Sequence, residues 1–365
     1  MKKFVPKKIM IAMSGGVDSS VAALLLKEAG HEVVGVTMCF DIDDSPCRKL
    51  SCCGIDGIED ARRVAGQIGI PHYVLNLGKE LEELVVLDFI VEYISGRTPN
   101  PCVRCNQYLK FGALLKRARA LGLGALATGH FARIERKGSD FLLKTGIDTK
   151  KDQSYFLCQI APADLKHVVF PLGEMTKDEA RVIARKRGLC VADKPASQEV
   201  CFVPGNNYRA FLKSRLNSAY FKEGEIVDKN GKVLGVHKGI FNYTIGQREG
   251  LGISAAHPLY VIKLDADVGR VVVGPKEGVF SEGLIAVEPN ILAPRFFKNS
   301  SSLKVKIRYN HPVVSAKLEI VSKNKLKIKF AKPEVAVTPG QFLVLYKNDV
   351  VVAGAKIAGS ISNFK

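Results

Sequence analysis

The chain has no run of eighteen apolar residues, which excludes a helix crossing a membrane. Its opening, MKKFVPKKIMIAMSGG, has a basic flank but no adequate apolar core or small-residue cleavage site, so no secretion signal is expected. Internal repeats and low-complexity tracts are also missing. A disulfide framework is not expected, because the nine cysteines are odd in number and irregularly placed, a usage that fits a reducing cytoplasm. Cys39, Cys158 and Cys190 stand among apolar neighbours and read as small buried hydrophobes. Acidic residues are scarce: 36 against 54 Lys and Arg, for a formal charge of +18. That excess calls for a polyanionic partner, nucleic acid before membrane, because no basic amphipathic anchor stands out.

What is present is enough for two or three domains, with 365 residues and 47% of them hydrophobic. The first half alternates strand and helix. Strands are expected at Ile9–Met13, Val33–Met38, His72–Leu77 and Ala125–Thr128. Helices are expected at Val17–Ala29, through GIEDARRVAGQIG with Glu59 and Asp60 in its first turn, at Leu81–Ile94 and at Gln107–Leu121. Strands separated by such helices imply a parallel, doubly wound α/β sheet. Ala132–Thr145 reads as a hairpin turning at KGSD, and Thr176 with Glu179 as a capping box. Near Pro204 the character changes. LKVKIR and LKIKF alternate strictly, so a small antiparallel barrel or sandwich should close the chain. The expected boundaries are 1–204, 205–283 (a small central α+β domain) and 284–365.

Two stretches carry chemistry. The strand IMIAM runs into SGGVDSS and then a helix, an order that lets backbone amides and a helix N-terminus meet a phosphate. Ser14, Ser19 and Ser20 offer hydroxyls, and Asp18 suits a magnesium ion or the turn itself. The Walker lysine and the G-x-G-x-x-G fingerprint are both absent. The second stretch, GRTPNPCVRCNQYLKFG, sets two cysteines three apart on an apparent turn. Taken alone it is half a metal site, a disulfide pair, or a nucleophile with a helper. Cys47, Cys52 and Cys53 are too irregular for a metal site and read as part of a loop over the nucleotide. Between Arg295 and Asn348 twelve Lys or Arg face only Glu319 and Glu334, which fits a nucleic-acid backbone.

The string SGGVDSS resembles the pyrophosphatase loop of the adenylating PP-loop ATPases. TPNPCVRCN, ATGHFAR, KDQSYFL, FPLGEMTKDE, SQEVCFVPG, HKGIFNYTIGQREGLGI and AVTPGQFLVLY follow in an order similar to bacterial tRNA-specific 2-thiouridylases, over essentially the whole chain. The resemblance implies an ATPase domain, a small central domain and a C-terminal β-barrel. It also implies ATP-dependent 2-thiolation of the wobble uridine in tRNAs for lysine, glutamate and glutamine. ATP and Mg2+ are the implied cofactors, and a cysteine desulfurase or sulfur-relay protein the implied sulfur donor.

By resemblance Cys105 is the first nucleophilic cysteine and Cys201 carries the persulfide. Ala12, Met13, Ser14, Gly15, Gly16, Val17, Asp18 and Ser19 hold ATP, with Met38 and Gly129. Asn100, Pro101 and Cys102 contact the target base. His130, Asp152, Gln153, Ser154, Arg308, Tyr309 and Gln341 contact tRNA. Many members have aspartate where this chain has Cys102. Cys102, Cys105 and Cys201 are therefore three thiols suited to a persulfide relay with Cys102 a bystander or resolving thiol, to a [4Fe-4S] cluster with one open iron, or to a structural zinc, which normally needs a fourth protein ligand. Competing readings are a PP-loop enzyme that thiolates another tRNA base or amidates a small molecule, and a non-catalytic RNA-binding protein.

Overall fold

A computed structural model describes residues 7–40, 54–195, 200–217, 220–298 and 303–361. Cys47, Cys52 and Cys53 lie outside them. The chain divides into two compact units, one made of residues 1–86, 101–206 and 348–351, the other of 87–100, 207–347 and 352–365.

The first unit holds strands β1 (Lys8–Ala12), β2 (Glu32–Cys39), β3 (His72–Asn76), β4 (Ala125–Ala127), β5 (Ala132–Lys137), β6 (Asp140–Thr145) and β7 (Val168–Val169). Five of them form a parallel sheet in the order β3-β2-β1-β4-β7. β1 has β2 on one flank and β4 on the other, so the strand order reverses there, and such a switch point opens a ligand crevice at the strands' carboxyl ends. Ile9 and Ile11 pack against Val21 of helix Val17–Glu28 and against Ala61 and Val64 of helix Ile55–Ile68, all fully buried. β5 and β6 form the expected hairpin. The Thr176–Glu179 capping box forms in full, starting helix Lys177–Lys186.

Several local expectations need correction. The Cys-x-x-Cys stretch is helical from Pro101 onward, not a turn. Proline lacks the amide that a first helical turn leaves unpaired, and here it opens the helix. Pro101–Arg104 continues as a π-helix, Cys105–Leu114, then returns to α over Leu115–Ala120. The helix expected over 81–94 likewise contains a π-turn at Glu82–Val86. A pattern based on 3.6 residues per turn does not reveal either widening. Helix Ile55–Ile68 begins early enough that Asp56, not Glu59 or Asp60, is its first-turn acid. Cys158 is buried as expected, Cys190 is exposed, and Cys39 is buried but disulfide-bonded.

The second unit contains two sheets. β8 (Glu223–Val227), β9 (Val233–Lys238), β10 (Tyr260–Asp265) and β11 (Arg270–Gly274) form a four-stranded sheet, with β11 and β8 parallel, around Ile226, Val261, Val271 and Val273. β12 (Phe280–Ile291), β13 (Leu303–Lys306), β14 (Val314–Ser322), β15 (Lys325–Val335), β16 (Phe342–Lys347) and β17 (Val350–Ile361) run in the order β12-β15-β14-β13-β16-β17. β17 pairs back to β12 and closes an antiparallel barrel. The alternation predicts its faces correctly: Leu303, Val305, Leu326 and Ile328 are buried, while Lys304 and Lys329 point to solvent.

Candidate active site

The SGGVDSS loop leaves β1 at the switch point, and two glycines shape it. Gly15 has φ +70, and a Cβ there would stand 2.2 Å from the carbonyl oxygen of Gly57. Gly129, two residues beyond β4, presses on the loop so closely that a Cβ would lie 2.6 Å from the Ser19 nitrogen. Neither site has room for a side chain. Two of the hydroxyls expected to reach a ligand turn inward: Ser19 and Ser20 each donate to the Gly16 carbonyl, at 3.1 and 2.9 Å. The amides at the start of helix Val17–Glu28 therefore remain the loop's principal donors, with Ser14 exposed beside them. The Asp18 carboxylate pairs with Lys177. Met13 and Met38 are buried, and Met38 lines β2 one strand away from the loop.

The thiols form the second part of the site. Cys102 is exposed, and Cys105 and Cys201 are half-buried, all in the first unit. Burial pushes the Cys105 thiol up to about 12; Lys110 pulls it down, and Cys201 and Cys102 add to the rise. Cys102 is pushed up to about 11, first by desolvation and then by Cys201, with Lys110 opposing. Cys102 has a solvent-facing surface that offsets part of this desolvation, so Cys105 is the thiol more firmly held neutral. The three sulfurs thus share one electrostatic neighbourhood. Among the described residues, however, no group of three His, Cys, Asp or Glu side chains is arranged to hold a metal ion.

Lys110 is the functional residue that periodicity missed. In an α-helix a residue five positions on lies roughly 140° around the axis. In the π-helix Cys105–Leu114 the backbone closes on the fifth residue, which turns Lys110 toward the Cys105 side of the helix, where its charge acts on the thiol. Lys110 also acts on His130, whose basicity burial and then Lys110 hold well below the ordinary range. A neutral His130 is fixed by Thr128 Oγ1 at 2.7 Å from Nδ1 and by the rings of Phe111 and Phe170. Lys110→Gln should raise the Cys105 thiol further and slow its alkylation by iodoacetamide about tenfold at pH 8, read by mass spectrometry of the Cys105 peptide. An unchanged rate would remove Lys110 from the site.

The remaining expected residues divide into two groups. Asp152 and Ser154 are buried; Asp152 accepts from the Gly146 and Ser154 amides and from Ser154 Oγ, at 3.0, 3.1 and 2.8 Å. Gln153 Oε1 accepts from the Phe131 amide at 3.0 Å. This run shapes the loop beside His130. In the second unit Gln341 Nε2 donates to the carbonyls of Thr98 and Pro99, at 3.0 and 2.9 Å, and Asn100 Nδ2 donates to Gln341 Oε1 at 3.4 Å. The Thr98 amide donates to Pro339 O at 2.9 Å. Arg308 donates to Val335 O and Ala336 O, each at 3.1 Å, and Lys306 lies over the Tyr309 ring at 5.3 Å. Buried Glu92, also missed from sequence, accepts from Arg97 and Lys356. Burial alone would raise its carboxyl, but those hydrogen bonds hold it below the usual range. Within the second unit, Pro339 and Gln341 thus hold the TPN segment.

A parallel sheet with a lysine-free glycine loop at its switch point, thiols beside a cation, and a basic β-barrel together fit an enzyme that uses a nucleotide and acts on RNA. Family profiles agree along the chain: "tRNA methyl transferase HUP domain" matches residues 7–205, "tRNA methyl transferase PRC-barrel domain" residues 209–275, and "Aminomethyltransferase beta-barrel domain" residues 281–357. The chain is 49% identical to tRNA-specific 2-thiouridylase MnmA of Geobacter metallireducens, covering 98% of each. It is 47% identical to that of Geotalea uraniireducens (98% of this chain, 96% of the relative). It is 48% identical to MnmA 1 of Syntrophus aciditrophicus (98% and 94%). The chain belongs to the tRNA-specific 2-thiouridylase family.

Proposed function

We infer that this protein is an ATP-dependent tRNA 2-thiouridylase acting on the wobble uridine. The observation that carries the reading is Cys102 and Cys105 in the field of Lys110 and within electrostatic reach of Cys201, in the same unit as the SGGVDSS loop. The C2 oxygen of uridine attacks the α-phosphorus of MgATP, the bond to the β-phosphate breaks, and pyrophosphate leaves. Magnesium arrives with the phosphates, where it neutralises charge. A sulfur donor, a cysteine desulfurase or relay protein, loads Cys201 as a persulfide. The Cys105 thiolate attacks the inner sulfur of Cys201, forming a Cys105–Cys201 disulfide and releasing hydrosulfide. Hydrosulfide adds to C2 and AMP leaves with the oxygen; the proton borne by the sulfur restores N3–H. A thiol reductant returns both cysteines.

The partition 1–204, 205–283 and 284–365 assigns adenylation and thiol chemistry to the first part and tRNA binding to the others. Exposed Lys304, Lys317, Lys325, Lys329 and Lys332 on the barrel suit the tRNA backbone. Arg308, Tyr309, Gln341, His130 and Asn100–Cys102 are its nearer contacts, with Asp152–Ser154 shaping one contact loop. The tRNAs for lysine, glutamate and glutamine are the expected set, and the cytoplasm the expected compartment. No described helix is long and apolar enough to cross a membrane.

The test is direct. Protein, MgATP, a sulfur source and tRNA are incubated together, and the nucleosides are analysed by mass spectrometry. 2-Thiouridine is expected; 4-thiouridine alone or no thionucleoside would overturn the reading. Cys102→Ser should keep activity within a few-fold and be free of iron, because the relay uses only Cys105 and Cys201. Complete loss, accompanied by loss of bound iron, would replace the relay with a cluster mechanism.

A further inference from the structure

The phosphate loop raises an electrostatic question. MgATP brings several negative charges, yet Ser14–Ser20 contains no lysine or arginine and adds the Asp18 carboxylate. Amide dipoles at one helix terminus are a weak match for a triphosphate. Two cations from another segment touch this loop. Lys177 Nζ pairs with Asp18, is 12% exposed and lies 5.9 Å from the Phe131 ring centroid. Lys194 Nζ donates to the Gly15 carbonyl at 3.2 Å and to Asp60 Oδ2 at 2.6 Å.

Both lysines are held rather than free. Lys177 is the first residue after the Thr176 cap, and its amide donates to Asp148 Oδ2 at 3.0 Å. Lys194 is held by Asp60 on the helix whose Gly57 backs Gly15. An ammonium already bonded to a loop carbonyl needs only a small rotation to reach an anion seated on that loop, and its compact charge suits a phosphate.

Resting on the functional reading above, we propose that Lys177 and Lys194 are the phosphate-binding cations of this enzyme. They take the place of the Walker lysine and hold the β- and γ-phosphates, the group that departs as pyrophosphate. Asp18 and Asp60 keep them in position when no nucleotide is bound. A lysine that merely pinned the loop would support all nucleotides alike. One that binds β- and γ-phosphates distinguishes ATP from AMP.

The experiment measures binding of MgATP and of AMP to the full-length chain by calorimetry. Lys177→Gln and Lys194→Gln should each weaken MgATP roughly ten- to a hundredfold and leave AMP affinity within about twofold. Lys177→Arg and Lys194→Arg should recover most of the loss. Asp60→Asn, which frees Lys194 while keeping its charge, should hold MgATP affinity at or above wild type. Equal losses for ATP and AMP, or unchanged ATP binding, would overturn the proposal. If the glutamine variants fail to fold, the arginine and Asp60→Asn variants decide: a selective loss of ATP affinity in Asp60→Asn overturns it. Wild-type protein that binds no MgATP would refute the functional reading itself.

Discussion

Cys105→Ala is expected to lower 2-thiouridine formation by about three orders of magnitude or more while MgATP binding stays at the wild-type level. The reason lies in the division of labour. On the proposed relay, adenylation uses the phosphate loop, whereas sulfur release uses a thiolate at Cys105. Cys201 should still be loaded, so the variant should accumulate the Cys201 persulfide, detectable by mass spectrometry after alkylation. The resting thiol is neutral, because burial pushes it up to about 12 and Lys110 offsets only part of that rise. The sign follows: below that value the thiolate fraction grows about tenfold per pH unit. Alkylation of Cys105 in the free protein should therefore climb steadily from pH 7 to 9 without a plateau. A plateau near pH 8 would mean an already activated thiolate and would contradict the buried site described. His130 is neutral throughout this range and adds no inflection.

Much of this arrangement was legible in the sequence, and the failures share a cause. The parallel strands, the hairpin, the capping box and the alternating barrel strands follow from periodicity and cap chemistry, which are local. The glycine loop was legible because only glycine tolerates φ +70 against a neighbouring backbone, as at Gly15. Three features depend on contacts distant in sequence or on an unusual winding. Lys110 acts on Cys105 across a helix that widens at Cys105–Leu114. Glu92, Arg97 and Lys356 meet because β17 passes the segment before Pro101, a pairing more than 250 residues apart in the chain, with Lys356 Nζ 2.6 Å from Glu92 Oε1. Lys177 and Lys194 come to the loop from a segment that reads, by itself, as an ordinary basic helix and its exit.

The glycine at 129 offers the sharpest structural test. Gly129→Ala is expected to weaken MgATP binding about a hundredfold and to reduce thiolation in proportion. The new Cβ would stand 2.6 Å from the Ser19 nitrogen, 2.7 Å from the Asp18 carbonyl carbon and 3.0 Å from its oxygen. All three are backbone atoms, so no side chain can swing away, and the start of helix Val17–Glu28 must move instead. Displacing that terminus would tilt the amides proposed to face the phosphates and loosen the Lys177 pair with Asp18. A loss of a hundredfold corresponds to about 2.7 kcal/mol, within reach of two charge-assisted hydrogen bonds put out of line. Gly66→Ala is the matched control. Gly66 sits exposed in helix Ile55–Ile68 with nothing within 4 Å of its Cβ position, so alanine there should leave binding intact and raise thermal stability slightly. If Gly129→Ala bound MgATP as tightly as Gly66→Ala, the close approach of β4's exit to the loop would have no part in holding ATP.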